Sequence, residues 1–243
     1  MKTRTFASSW RDATIPAVAA IALVLTAACG GGGDEKTLDV EKADALAHEA
    51  LLVAGDLSGN GWEVDADDNF EDSPFAETKA CADLSARRDE ARKKSDPERA
   101  GRAKRDFSRA GTNTPTQVEI EFEIFDTADT PTESLRLQRA AFDANLRECF
   151  SDTFKDGADP SLTIEVKESG TLGKLPSEGV AKALDVHIAD DKEALDLRLE
   201  TYGWRYLNGS VSVSISGDKE DITAALVKST IDAVQAKLDK LVE

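Results

Sequence analysis

Side chains able to do chemistry are sparse in this sequence. It has two histidines, and neither His48 nor His187 has a cysteine, a nucleophile or the other histidine at a spacing that would build a metal site or a catalytic dyad. His48 reads as a helix-surface residue and His187 as the outward-facing member of a strand. No Gly-x-Ser-x-Gly, P-loop or His-Glu-x-x-His motif occurs. The run from Asp56 to Asp67 approaches a calcium loop, with oxygen-bearing Asp56, Ser58 and Asn60 at positions one, three and five and Gly61 at position six. Its eighth position is Glu63 where an apolar residue belongs, and its twelfth is Asp67, shorter than the usual glutamate. The stretch reads instead as a glycine-bearing turn delivering Trp62 and Val64 into a strand. Glu119, Glu121 and Glu123 form a row that a metal or a basic partner could use, yet no histidine or second acidic element accompanies it. Tyr202, Trp204 and Tyr206 share one strand face and are the candidate ligand-binding residues, as an aromatic platform whose alternative role is packing. No catalytic residue, cofactor or metal is expected, and the chain reads as a non-enzyme.

The cysteines carry more information. Leu25-Thr26-Ala27-Ala28-Cys29 has the form of a bacterial lipobox, and Gly30 to Gly33 follow it directly. Lys2, Arg4 and Arg11 precede an apolar run from Ile15 to Ala28, a secretory pattern, and those 14 residues are too few to span a bilayer as a mature helix. Cleavage behind Ala28 would leave Cys29 as a lipidated N-terminus carrying diacylglycerol and palmitate. Each buried methylene adds about 0.8 kcal/mol, so two or three acyl chains anchor durably where one does not. The expected layout is a signal peptide over 1–28, lipidated Cys29 with a flexible tether over 29–37, and one extracytoplasmic domain over 38–243. Cys81 and Cys149 would then meet an oxidising compartment and are expected to pair with each other.

Composition narrows the partners. Removing the leader's net charge of +2 from the total of −17 leaves −19, which excludes a nucleic-acid function because phosphate binding needs a basic face. The basic residues gather between Arg87 and Arg109, where ten bases stand against five acids. Two readings exist: a docking surface for anionic headgroups or wall polymer, or a solvated helix over Ala82 to Lys94 whose charge is offset elsewhere.

The elements that would position these residues follow from periodicity. Leu38 to Val53 predicts a helix ending at Gly55. Val118, Ile120, Phe122 and Ile124 alternate with glutamates, so one strand face is buried and the glutamates need cross-strand bases or open water. Thr130-Pro131-Thr132-Glu133 predicts a helix start with Thr130 as N-cap, and Leu135, Phe142, Leu146, Cys149 and Phe150 line its inner stripe. Alternating runs around Ile164, Val186, Leu197 and Val213 predict further strands, with Asn208-Gly209 as a two-residue hairpin turn. A last helix is expected from about Asp218 to the end. Strands apolar on one face give an α+β fold: an antiparallel sheet of about five to six strands with helices packed on one face.

The order Leu51-Leu52, Asp56-Leu57-Ser58-Gly59 and Gly61-Trp62, with a cysteine some twenty residues on, resembles the opening of sensor-domain lipoproteins of high-GC Gram-positive bacteria. These are similar in turn to the extracellular sensor domain of receptor serine/threonine kinases. Over about Leu51 to Lys240 the resemblance implies an antiparallel sheet packed by helices, a central cleft and a ligand of unspecified kind. Two functions follow: a ligand-binding or sensing lipoprotein that takes a small or lipidic ligand, or a surface interaction module without one. Either way the membrane is contacted through the N-terminal lipid.

Overall fold

The structure, a computed structural model, describes residues 37–68, 70 and 78–242. The expected signal peptide, Cys29 and the tether as far as Lys36 lie outside the described residues. The architecture is an antiparallel α+β fold built on one seven-stranded sheet, ordered β1-β2-β3-β7-β6-β5-β4. The strands are β1 (Glu63–Asp67), β2 (Arg99–Arg109), β3 (Thr116–Phe125), β4 (Thr163–Ser169), β5 (Gly179–Ala189), β6 (Ala194–Tyr206) and β7 (Gly209–Asp218). The described α-helices are α1 (Ala43–Ala50), α2 (Lys79–Ser95), α3 (Thr130–Lys155) and α4 (Ala224–Lys240). None of them is long and apolar enough to cross a membrane.

The sheet has one strand more than the upper expectation, and its helices cover both faces. Alternation decides which residues serve which side. On one face Phe107, Ile120, Phe122, Val211, Val213, Tyr202 and Trp204 form the larger core with Ala43, Ala47, Val227, Ile231 and Val234 of α1 and α4. On the other, Val180, Leu184, Val186, Leu197 and Leu199 pack against Leu84 of α2 and Leu135, Phe142, Leu146 and Phe150 of α3. Strand β6 serves both cores in succession: Leu197 and Leu199 belong to one, Tyr202 and Trp204 to the other. A one-face arrangement was the natural reading of single alternating strands, because nothing local says that two sets of strands point their apolar sides in opposite directions.

Cys81 and Cys149 are joined, tying α2 to α3 across a sequence separation of 68. Several element ends differ from the sequence expectation, each for a packing reason. Helix α1 stops at Ala50, where Leu51 turns to extended backbone, and Leu51 and Leu52 are both buried beyond its end. Thr130 is the first helical residue of α3 instead of its cap; its buried hydroxyl donates to Glu98 at 2.6 Å. Helix α4 starts after Thr223, whose side chain accepts from Leu226 N, while Asp218 ends β7 and holds the amides of Asn113 and Thr114. The β6–β7 turn is Leu207-Asn208, one residue earlier than expected, with Leu207 at φ +54°. Asn208 is buried there as an anchor: it accepts from Leu38 N at 2.7 Å and donates to the carbonyls of Leu38 and Phe125. Gly209 is then needed for close approach, since a Cβ would stand 2.6 Å from the Phe122 ring.

Candidate functional site

The two charge features singled out in the sequence turn out to be partners. Arg102, Lys104 and Asp106 of β2 lie opposite Glu123, Glu121 and Glu119 of β3. Ser210, Ser212 and Ser214 of β7 come next across the sheet, then Arg205, Gly203 and Thr201 of β6. These rungs occupy the same sheet face as α3, beyond the apolar half that α3 packs on. The bases bond diagonally: Lys104 Nζ reaches Glu119 at 2.9 Å, Arg102 Nε bonds Glu121, and Arg99 Nε lies 3.0 Å from Glu123. Phe70 stacks on the Arg102 guanidinium, 3.9 Å from ring centroid to Cζ. Of the two environments open to the glutamates, cross-strand bases rather than open water is what the fold supplies. Arg105 and Arg109 leave by the other face, to Asp67 at 2.8 Å and over the Trp62 ring. Five of the ten clustered bases are thus engaged inside the fold; on α2, Arg87 and Lys93 are exposed.

Burial makes this layer chemically unusual. Glu121 and Glu123 are 2% and 3% exposed, and Lys104 6%. Loss of water pushes the Glu119 carboxyl up to about 8, with Asp106 and Glu121 adding repulsion that Lys104 only partly offsets. Glu123 is raised by burial and by Glu121, and Asp106 by burial.

The middle rung is incompletely bonded. Gln138 of α3, 2% exposed, lies over Gly203 so closely that a Cβ there would meet its Oε1 at 2.5 Å. Gln138 Nε2, Ser212 Oγ and Glu121 Oε2 are all buried and have no hydrogen-bond partner among the described residues. They come from three elements and sit side by side, since Ser212 pairs with Gly203 on one side and with Glu121 on the other. Gln138 carried no motif, but the sequence held a signal: it occupies an apolar-stripe position, three after Leu135 and four before Phe142.

The aromatic trio sits elsewhere. Tyr202 and Trp204 are fully buried on the opposite face, so the open platform expected of them is absent. The Tyr202 hydroxyl donates to Glu200 and accepts from Gly173 N at 2.8 Å, and burial pushes the phenol's pKa upward. Trp204 Nε1 donates to Gln235, and Tyr206 donates to the Leu238 carbonyl at 2.8 Å. All three brace β6 against α4 and the loop around Gly173. Glu200 also takes Arg198, which bonds Asp185 at 2.9 Å, so this second buried ionic group is well satisfied. The loop from Asp56 is a turn, with Gly59 and Gly61 at φ +89° and +82° and Trp62 Nε1 donating to Ser58 O. It buries Trp62 as expected but leaves Val64 49% exposed. His48 and His187 face solvent beside Asp68 and Asp196. No group of three or more metal-ligating side chains occurs among the described residues.

No protein-family model matches the chain, and no curated protein matches it significantly. Solved structures do. The chain is similar to the extracellular domain of PknH from Mycobacterium tuberculosis, at 13% identity and TM-score 0.47, covering 85% of this chain and 98% of that one. It is also similar to LpqN, involved in cell envelope biogenesis of Mycobacterium tuberculosis, at 11% identity and TM-score 0.24, over 56% and 68% of the two chains.

Proposed function

We propose that this chain is a lipid-anchored extracytoplasmic binding domain without catalytic activity, and that it holds a small ligand between α3 and the charged half of the sheet. The observation that carries the reading is the middle rung, where Gln138, Ser212 and Glu121 each bury a polar atom that has no hydrogen-bond partner among the described residues. Each such atom costs about 1–3 kcal/mol, so three together cost about 3–9 kcal/mol, a sizeable share of the about 5–15 kcal/mol that holds an ordinary domain folded. A polar occupant removes that cost. The lipobox ending at Cys29 and the Cys81–Cys149 bond support an anchored, oxidising location. A surface interaction module has less to work with, because the acid row pairs internally with three of the ten bases of the basic stretch, Arg99, Arg102 and Lys104. The polar lining also favours a polar ligand over the lipidic one.

The test is native mass spectrometry of the chain extracted from bacterial membranes in mild detergent. The expected mass exceeds that of the lipidated polypeptide by one small molecule, and Gln138→Leu loses the adduct. A mass equal to the lipidated chain alone overturns the binding part, and a chain without acyl groups on Cys29 overturns the anchor.

A further inference from the structure

We infer that this chain forms a two-fold dimer by pairing strand β4 with β4 of a second copy, in the antiparallel register centred on Val166. Strand β4 ends the sheet and bonds to β5 on one side. Successive residues of an antiparallel strand turn their N–H and C=O groups to opposite sides. Asp190 N donates to Glu193 O and Arg205 N to Glu178 O, so the even-numbered residues of β5 bond to β6 and the odd-numbered ones to β4. Those odd-numbered residues face Thr163, Glu165, Lys167 and Ser169. Ile164, Val166 and Glu168 therefore turn their backbone groups outward, where no strand lies beside them among the described residues. A second β4 in this register satisfies these groups in both copies, each of the three residues donating one N–H and accepting one in turn.

The side chains select both the partner and the register. Centring on Val166 sets Glu165 of each copy against Lys167 of the other, Thr163 against Ser169, and Val166 against itself. Glu165 and Lys167 take the non-hydrogen-bonded positions of the new ladder, where opposed side chains come closest. They are 49% and 72% exposed and bond to each other along the strand. Moving the centre to Glu165 or to Lys167 sets like charge against like. Ile164 meets the stem of Glu168, whose carboxylate lies 3.7 Å from Lys182. A lysine commonly guards an exposed edge, and β4 supplies the glutamate that answers it. The opposite edge strand is guarded: β1 is short, shifts register between Val64 and Ala66, and carries Glu63, Asp65 and Asp67 at alternate positions, which would set acid against acid in a second copy. The symmetry also suits an anchored protein, a point that rests on the reading of Cys29 above. The two-fold axis stands perpendicular to the joined sheet, so both copies turn their α1 and α4 face the same way. Leu38 packs into the core on that face, so both chains enter their domains from one side and can share one membrane. Confinement there raises the effective concentration, and a short ladder suffices.

Cysteine cross-linking of the full chain in the envelope of a bacterial host tests the pairing. Val166→Cys places two thiols on Cα atoms about 5.5 Å apart across the axis, within disulfide reach. A band of twice the chain's mass is expected on non-reducing electrophoresis, while Val53→Cys, at a residue 51% exposed, gives none. Adding Glu165→Lys or Lys167→Glu alone cuts the band tenfold or more. Both reversals together restore it, and the two single-reversal chains, made together with different tags, cross-link to each other. Thr163→Cys with Ser169→Cys reports the same register if the Val166 variant does not fold. No dimer band with either reporter, or a band indifferent to the reversals, overturns the proposal. So does an adduct to a host protein in its place, which would give the edge to a foreign strand. None of these outcomes touches the ligand reading, which native mass spectrometry decides.

Discussion

The buried carboxyls of β3 make stability fall as pH rises through a range where most proteins are at their most stable. Glu119 moves from an ordinary value of 4.5 to about 8 on folding, because burial disfavours its charge more than Lys104 at 2.9 Å restores it. A raised folded-state value means that the folded chain holds a proton the unfolded chain releases. The contribution is therefore complete below about pH 4.5 and lost as pH climbs toward 8. At 1.36 kcal/mol per unit the shift sets a ceiling of about 5 kcal/mol, and a side chain still 13% exposed should realise roughly half of it. Glu123 is raised too and acts in the same direction. Urea unfolding at intervals between pH 5 and pH 8.5 should show the midpoint declining steadily. Glu119→Gln, isosteric and neutral, should flatten that decline by about half, and the difference between the two chains cancels every group they share. A parent curve that is level or rising across this range, or a variant with the parent's slope, refutes the reasoning.

Other predictions follow from the packing. Replacing Cys81 and Cys149 by serine releases a loop of 68 residues and should lower unfolding stability by about 4 kcal/mol, read from the urea midpoint. Gly101→Ala sets a Cβ 2.4 Å from the Ala43 carbonyl carbon, backbone that cannot turn aside, and should cost more than about 2 kcal/mol; Gly55→Ala, with nothing within 4 Å, should stay within about 0.5 kcal/mol on the same assay. Asn208→Ala removes three bonds to Leu38 and Phe125 and should cost about 2–3 kcal/mol, with hydrogen exchange at the Leu38 amide accelerating by more than the global loss explains.

The strands of this fold were legible in the sequence because their period is local: Val118, Ile120, Phe122 and Ile124 announce a buried face without reference to anything else. What covers the other face is not local. Glu121 looks the same in sequence whether it meets water or Arg102, and only the β2–β3 register makes the two partners. The segment around Arg102 and Lys104 hid its strand character for the same reason, since charged residues mask a period of two when both faces are polar or short. Turns obeyed side-chain anchoring over turn propensity: Asn208-Gly209 is the favoured dipeptide, yet Asn208 is held by Leu38 and Phe125 and the turn slips back to Leu207. The site itself was half visible. The acid row was plain, but Gln138 becomes notable only beside Gly203 and Ser212, which come from strands more than sixty residues further on.

The most direct test of the account is a high-resolution crystal structure of the protein taken from membranes without added small molecules. The account predicts density larger than water that bonds Gln138 Nε2, Ser212 Oγ and Glu121 Oε2 together. Single waters there, or a Gln138 side chain turned to donate directly to Glu121, would contradict it.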